Sequence, residues 1–160
     1  MRWTLVFVSL LLSFQAIASQ LVIRVGDEQA VHLSYADITT KLSPASFTTK
    51  LPWYANTNKY TGFKVSELLQ YLSINDAFSV SFIALNDYAA SSQIEDILKY
   101  EPIVAYKMND KKMKVRNKGP YWLVFNLDEN PKIDNAVFHS QMVWQIDEIM
   151  VHRKQDVENK

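Results

Sequence analysis

Not one of the 160 residues is a cysteine, although the chain opens with the build of an export signal. Arg2 is followed by an apolar run from Trp3 to Phe14 and then by Ala16-Ile17-Ala18, the small-x-small pattern that signal peptidase accepts. The run is about 12 residues long where about 20 are needed to span a bilayer. Residues 1–18 are therefore expected to be removed, leaving residues 19–160 as one domain in the periplasm. Exported chains commonly staple themselves with disulfides. This one has to stand on apolar burial alone, and both thiol catalysis and thiolate metal ligation are closed to it.

Other classes recede on similar grounds. Without Arg2 the formal balance is 16 basic against 17 acidic residues, with no long run of either sign, so nucleic acid and anionic membrane are poor partners. The three glycines, Gly26, Gly62 and Gly119, are too far apart for a glycine-rich phosphate loop or a Gly-x-Ser-x-Gly turn. His32, His139 and His152 are scattered without metal-ligand spacing, so a metal site is not expected.

Hydrophobic periodicity gives mostly strands with short helices between them, the pattern of an α+β or barrel-like domain rather than of alternating βαβ units. Residues 21–25 alternate as a strand, Gly26-Asp27 turns the chain, and residues 30–33 return. Ser34 with Asp37 forms the pattern of a capping box, opening a helix to about Leu42 before Pro44 stops it. Residues 45–51 read as a strand and residues 52–58 as a loop. After Gly62, the spacing of Phe63, Val65, Leu68, Leu69 and Leu72 predicts a helix. Residues 80–84 alternate as a strand that delivers Asn86, Asp87 and Tyr88 at its end. Ser91 or Ser92 is expected to cap a helix over residues 93–98. Residues 103–108 and 121–127 are apolar strands, residues 128–135 a loop, and residues 142–151 a last strand.

Several short motifs stand out together: Gly62-Phe63-Lys64-Val65 leading into Leu68-Leu69, Asn86-Asp87-Tyr88, residues 104–109 (Val-Ala-Tyr-Lys-Met-Asn), Arg116-Asn117-Lys118-Gly119-Pro120, and Val143-Trp144-Gln145. In this order, over residues 48–151, they resemble the sulfite oxidase-like molybdopterin-binding fold. More narrowly, the chain is similar to small exported pterin-binding regulators of that fold, which act with cyclic di-GMP-metabolising membrane enzymes. In the enzymes of this fold, the resemblance implies, a loop near Pro52-Trp53-Tyr54 carries a molybdenum-ligating cysteine, the loop at residues 116–119 carries a histidine, and a lysine precedes the Trp that here follows Val143. All three are missing. The implied protein is a non-catalytic receptor for a metal-free pterin such as monapterin or neopterin, without molybdenum, whose partner is the periplasmic region of an inner-membrane diguanylate cyclase or phosphodiesterase.

The residue types suit such a ligand. A pterin presents an amine and a ring N–H side by side, which one carboxylate can accept in bidentate fashion, and Asp87 is the candidate. A charge-assisted pair of this kind contributes about 1.5–3 kcal/mol. Trp53 and Tyr88 are candidate stacking platforms, worth about 1–3 kcal/mol per stacked ring. Asn86, Arg116, Lys118 and Ser140 can read the ring carbonyl or a hydroxylated side chain. Each has a plain alternative. Asn86 and Asp87 suit a strand-end turn, Arg116 and Lys118 a solvated basic loop, and Trp122 and Trp144 are read as core. Two other functions stay open, a molybdopterin-dependent oxidoreductase or its subunit, and an interaction domain without ligand.

Overall fold

The computed structural model describes residues 20–154, so the expected export signal at residues 1–18 lies outside the described residues. The strands are β1 (Leu21–Val25), β2 (Val31–Leu33), β3 (Ala45–Thr49), β4 (Asn58–Lys64), β5 (Ala77–Ala84), β6 (Ala89–Gln93), β7 (Ile103–Met108), β8 (Lys111–Lys112), β9 (Trp122–Val124) and β10 (Ile146–Arg153). The helices are α1 (Tyr35–Lys41), α2 (Val65–Tyr71), α3 (Ile94–Tyr100) and α4 (Ala136–Gln141). One sheet runs β2-β1-β10-β5-β6 and the other β3-β4-β7-β8, with β9 added against β7. Only β1 with β10 is parallel among these ladders. The architecture is α+β, mostly strand with short helices inserted, as the periodicity predicts.

Alternation sets the inner faces. Leu21, Ile23 and Val25 of β1, Ile149 and Val151 of β10, and Val80, Phe82 and Ala84 of β5 are all buried, because residues two apart on a strand share a face. In α1 the expected capping box is present: Ser34 Oγ accepts from Asp37 N at 3.1 Å, and Asp37 Oδ2 accepts from Ser34 N at 3.0 Å. Two orphan donors are satisfied reciprocally, and Ile38 is turned into the core.

Four expectations need correction. Gly62 and Phe63 lie in β4, not in the approach to a helix, and α2 starts only at Val65. The register of β4 on β7 shifts between Thr61 and Gly62, and a Cβ on Gly62 would sit 2.1 Å from the Val104 carbonyl oxygen. The glycine is there to let β7 pass. Ser91 and Ser92 belong to β6, and α3 begins at Ile94 with no side-chain cap bond. Their hydroxyls bond elsewhere, Ser92 Oγ to Gln141 Oε1 and Ser91 Oγ to Ser81 Oγ. The residues between 135 and 142, given no element from periodicity, form α4, capped by Asn135 Oδ1 accepting from Val137 N and Phe138 N. Finally, β10 starts at Ile146; residues 142–145 are irregular, and Gln145 has a φ of 57°.

Candidate ligand-binding site

Where β5 ends, its chain turns at residues 85–88, and this turn faces α4 and the irregular segment before β10. Asp87 N donates to Ala84 O and Leu85 N to Gln145 O, which ties the turn to that segment. Tyr88 OH donates to Ser140 O at 2.8 Å, linking the turn to α4. Between them opens a cavity of about 420 Å³ lined by Trp53, Ala84, Asn86, Tyr88, His139, Ser140, Met142, Val143 and Trp144. That size falls within the ~300–1,000 Å³ of small-molecule sites.

Its aromatic wall is built around Trp122. That indole is fully buried in β9, donates from Nε1 to Met142 O at 3.0 Å, and is met edge-on by Tyr60. Trp53 packs on it at 5.7 Å, held by a turn in which Tyr54 N donates to the carbonyl of buried Leu51. Trp144 stands against both, 5.4 Å from Trp53 and 6.3 Å from Trp122. Near-perpendicular pairs at these separations match ring edge to ring face. His139 closes the wall 5.9 Å from Trp53, with Nε2 2.7 Å from Asp134 Oδ1.

A second cavity, about 510 Å³, adjoins through Trp144 and is lined also by Tyr54, Met108, Arg116, Asn117, Lys118 and Gln145. A 3-10 turn at Val115–Asn117 carries Lys118, which adopts a φ of 65°. Gln145 fixes this loop twice, donating from N to Lys118 O at 3.1 Å and from Nε2 to Val115 O at 2.8 Å. Gly119 follows where a Cβ would meet the Met113 backbone at 2.5 Å, so no larger residue fits. The Lys118 ammonium ends 3.3 Å from the Trp144 ring centroid, 5.3 Å from that of Trp122 and 5.4 Å from that of Trp53. Burial pushes its pKa down, as loss of water disfavours the charged amine.

Of the residues singled out in the sequence, Trp53, Asn86, Tyr88 and Ser140 line the first cavity together, and Arg116 and Lys118 line the second. Asp87 lines neither. Its φ of 64° and exposed side chain are those of the turn residue it was weighed against, so the bidentate contact expected of it is not placed at either cavity. Trp144, read as core, is 36 % exposed and lines both cavities. Its misreading followed from extending β10 back to residue 142. His139 was missed with α4; the sequence signal for it is Asn135, a good N-cap three residues ahead of Phe138.

A model of the oxidoreductase molybdopterin binding domain matches residues 18–126 of the chain. The chain belongs to this family. Trp53, Asn86, Tyr88, Arg116 and Lys118 fall inside the matched stretch of the molybdopterin-binding domain, while His139, Ser140 and Trp144 follow it. Among solved structures, the sulfane dehydrogenase SoxCD from Paracoccus pantotrophus is similar to it, with a TM-score of 0.63 and 13 % sequence identity over 85 % of this chain. The fold is thus the sulfite oxidase-like one. The match spans 38 % of the SoxCD chain, so the likeness carries the fold of this domain and not the activity of that enzyme. No curated protein matches the chain.

Proposed function

We propose that this molybdopterin-binding-type domain is a non-catalytic periplasmic receptor for a metal-free pterin such as monapterin or neopterin. The observation that carries the reading is an aromatic cavity in the sulfite oxidase-like fold, walled by Trp53 and Trp144, in a chain with no cysteine. A flat heterocycle stacks on indole faces regardless of what metal chemistry surrounds it. Asn86 stands at the same wall to read the ring edge, Ser140 Oγ can still accept there while it donates to Val137 O, and Arg116 and Lys118 line the adjoining second cavity.

The donor set supports the metal-free form. The resemblance gives molybdenum a cysteine as its protein ligand in the enzymes of this fold, and this sequence has no cysteine. Among the described residues no three of His, Asp and Glu gather as metal ligands. The polar groups of the wall are engaged in the protein itself: His139 with Asp134, Tyr88 OH with Ser140 O, and Ser140 Oγ with Val137 O. These residues fit the ring of the cofactor and not its metal.

In this reading the bound ring alters a surface that the periplasmic region of a cyclic di-GMP-metabolising membrane enzyme recognises. Leu85, Tyr88 and Val137, all exposed, stand on the turn and helix that carry the lining, where ligand contacts shift their arrangement. Calorimetric titration of the mature chain with reduced and oxidised neopterin tests the receptor. One ring bound per chain, at a Kd of about 1 μM or below, is the expected result. Absence of binding to every pterin overturns it and leaves an interaction domain without ligand, and molybdenum in the protein purified from an exporting cell overturns it in favour of an oxidoreductase, the reading that the family name favours.

A further inference from the structure

We propose that Lys118 makes the first cavity selective for flat rings that carry negative charge, acting through the indole of Trp144. This rests on the receptor reading, because it concerns the charge state of the ring held there. Trp144 lines both cavities and Lys118 only the second, so the ammonium meets the first cavity through this shared indole. With Nζ 3.3 Å from the Trp144 centroid, the cation draws on the electron density of that face. The opposite face is left less negative and a better partner for an electron-rich ring.

The surroundings leave this charge largely unanswered. Lys118 Nζ makes no hydrogen bond or ion pair among the described residues, and no Asp or Glu lines either cavity. Arg116 is the other charged side chain in its compartment, and Tyr54 is its other titratable one, held neutral because burial raises its pKa. On the far side of Trp144 the titratable groups lining the first cavity are His139 and Tyr88. A cage of three indoles usually awaits a foreign cation. Here the protein fills the cage with its own, so the ligand it complements is an anion.

A ring stacked on Trp144 lies about 7 Å from the ammonium, where attraction between unit charges at intermediate dielectric amounts to about ten-fold in affinity or more. Neopterin and pterin-6-carboxylate present the same ring uncharged and anionic at one neutral pH, so the charge of Lys118 is the same in both titrations. Calorimetry of the mature chain with the two ligands at that pH gives the ratio of the two affinities. The expected result is anion binding about ten-fold tighter than neutral binding in the wild type, a ratio near one in Lys118→Met, and its return in Lys118→Arg. Lys118→Gln replaces the Met variant if that fails to fold. A wild-type ratio near one, or a ratio that survives in Lys118→Met or Lys118→Gln, overturns the inference while the receptor stands. Failure of the wild type to bind either form overturns the receptor reading itself.

Discussion

Trp122 and Trp144 face each other across an isolated antiparallel bridge, yet one is sealed and the other opens onto two cavities. Trp122 sits within a three-residue strand whose neighbours from Tyr121 to Phe125 are all buried. Trp144 sits two residues before β10 begins, beside the left-handed backbone of Gln145. The difference shows what a continuous ladder does to a side chain. Inside a ladder, β7 and the layer behind it fix the direction of the indole. Just outside one, a single left-handed residue turns the same side chain toward solvent and the cavity.

Substitution of each indole breaks this contrast in opposite ways. Trp122→Ala should destabilise the fold by about 3–5 kcal/mol, read as a fall in the urea midpoint, since it empties a fully buried site and leaves the Met142 carbonyl without its donor. Trp144→Ala should cost about 1–3 kcal/mol of pterin affinity by calorimetry while the urea midpoint moves by less than about 1 kcal/mol equivalent. Equal losses of stability in the two variants would show that the open indole is core after all. A remote site sharpens the scale: Ser34→Ala removes the cap of α1 and should cost about 1 kcal/mol of stability with no change in ligand affinity.

The same cap gives a pH signature that neither indole shares. Hydrogen bonds from Lys41 and Ser34 hold the Asp37 carboxyl down to about 2, below its ordinary 3.8. The folded pKa is the lower one, so the unfolded chain binds more protons in this window and stability rises with pH. This contribution is present above about pH 4 and fades as the pH falls toward 2. A smaller slope of stability against pH across that window in Ser34→Ala, measured by urea titration, is the expected outcome and the smallest effect considered.

Elements with strong local signals were legible in the sequence. The capping box of α1 rests on two residues three apart, the α2 stripe on Val65, Leu68 and Leu69, and β7 on the apolar run from Ile103 to Tyr106. Elements specified by their neighbours were not. The polar β6 strand, Ala-Ala-Ser-Ser-Gln, has no alternation and exists because β5 offers it a ladder. Gly62 looked like a helix boundary because the close approach of Val104 that demands it comes from a strand more than 40 residues on. Asn86, Tyr88, Trp53 and Ser140, singled out by donor chemistry and aromatic character, line one cavity. Asp87 was chosen for its carboxylate over the strand-end turn it also suits, and its backbone is that of the turn; Trp144 was read as core because a large indole in a strand extended back to residue 142 is expected to be buried.

The position of β10 bears on when the molecule can come into being. The last described strand lies between β1, the first, and β5, and joins them at the centre of its sheet. Until Ile146 and the residues after it have been delivered, the β1-β2 hairpin and the β5-β6 pair have nothing to join them. The two ladders that β10 makes, with β1 and with β5, must then wait on a long loop closure, a slow step set by topology. A growing polypeptide therefore has no early stopping point at which this sheet is whole, and its completion is a late event coupled to delivery of β10.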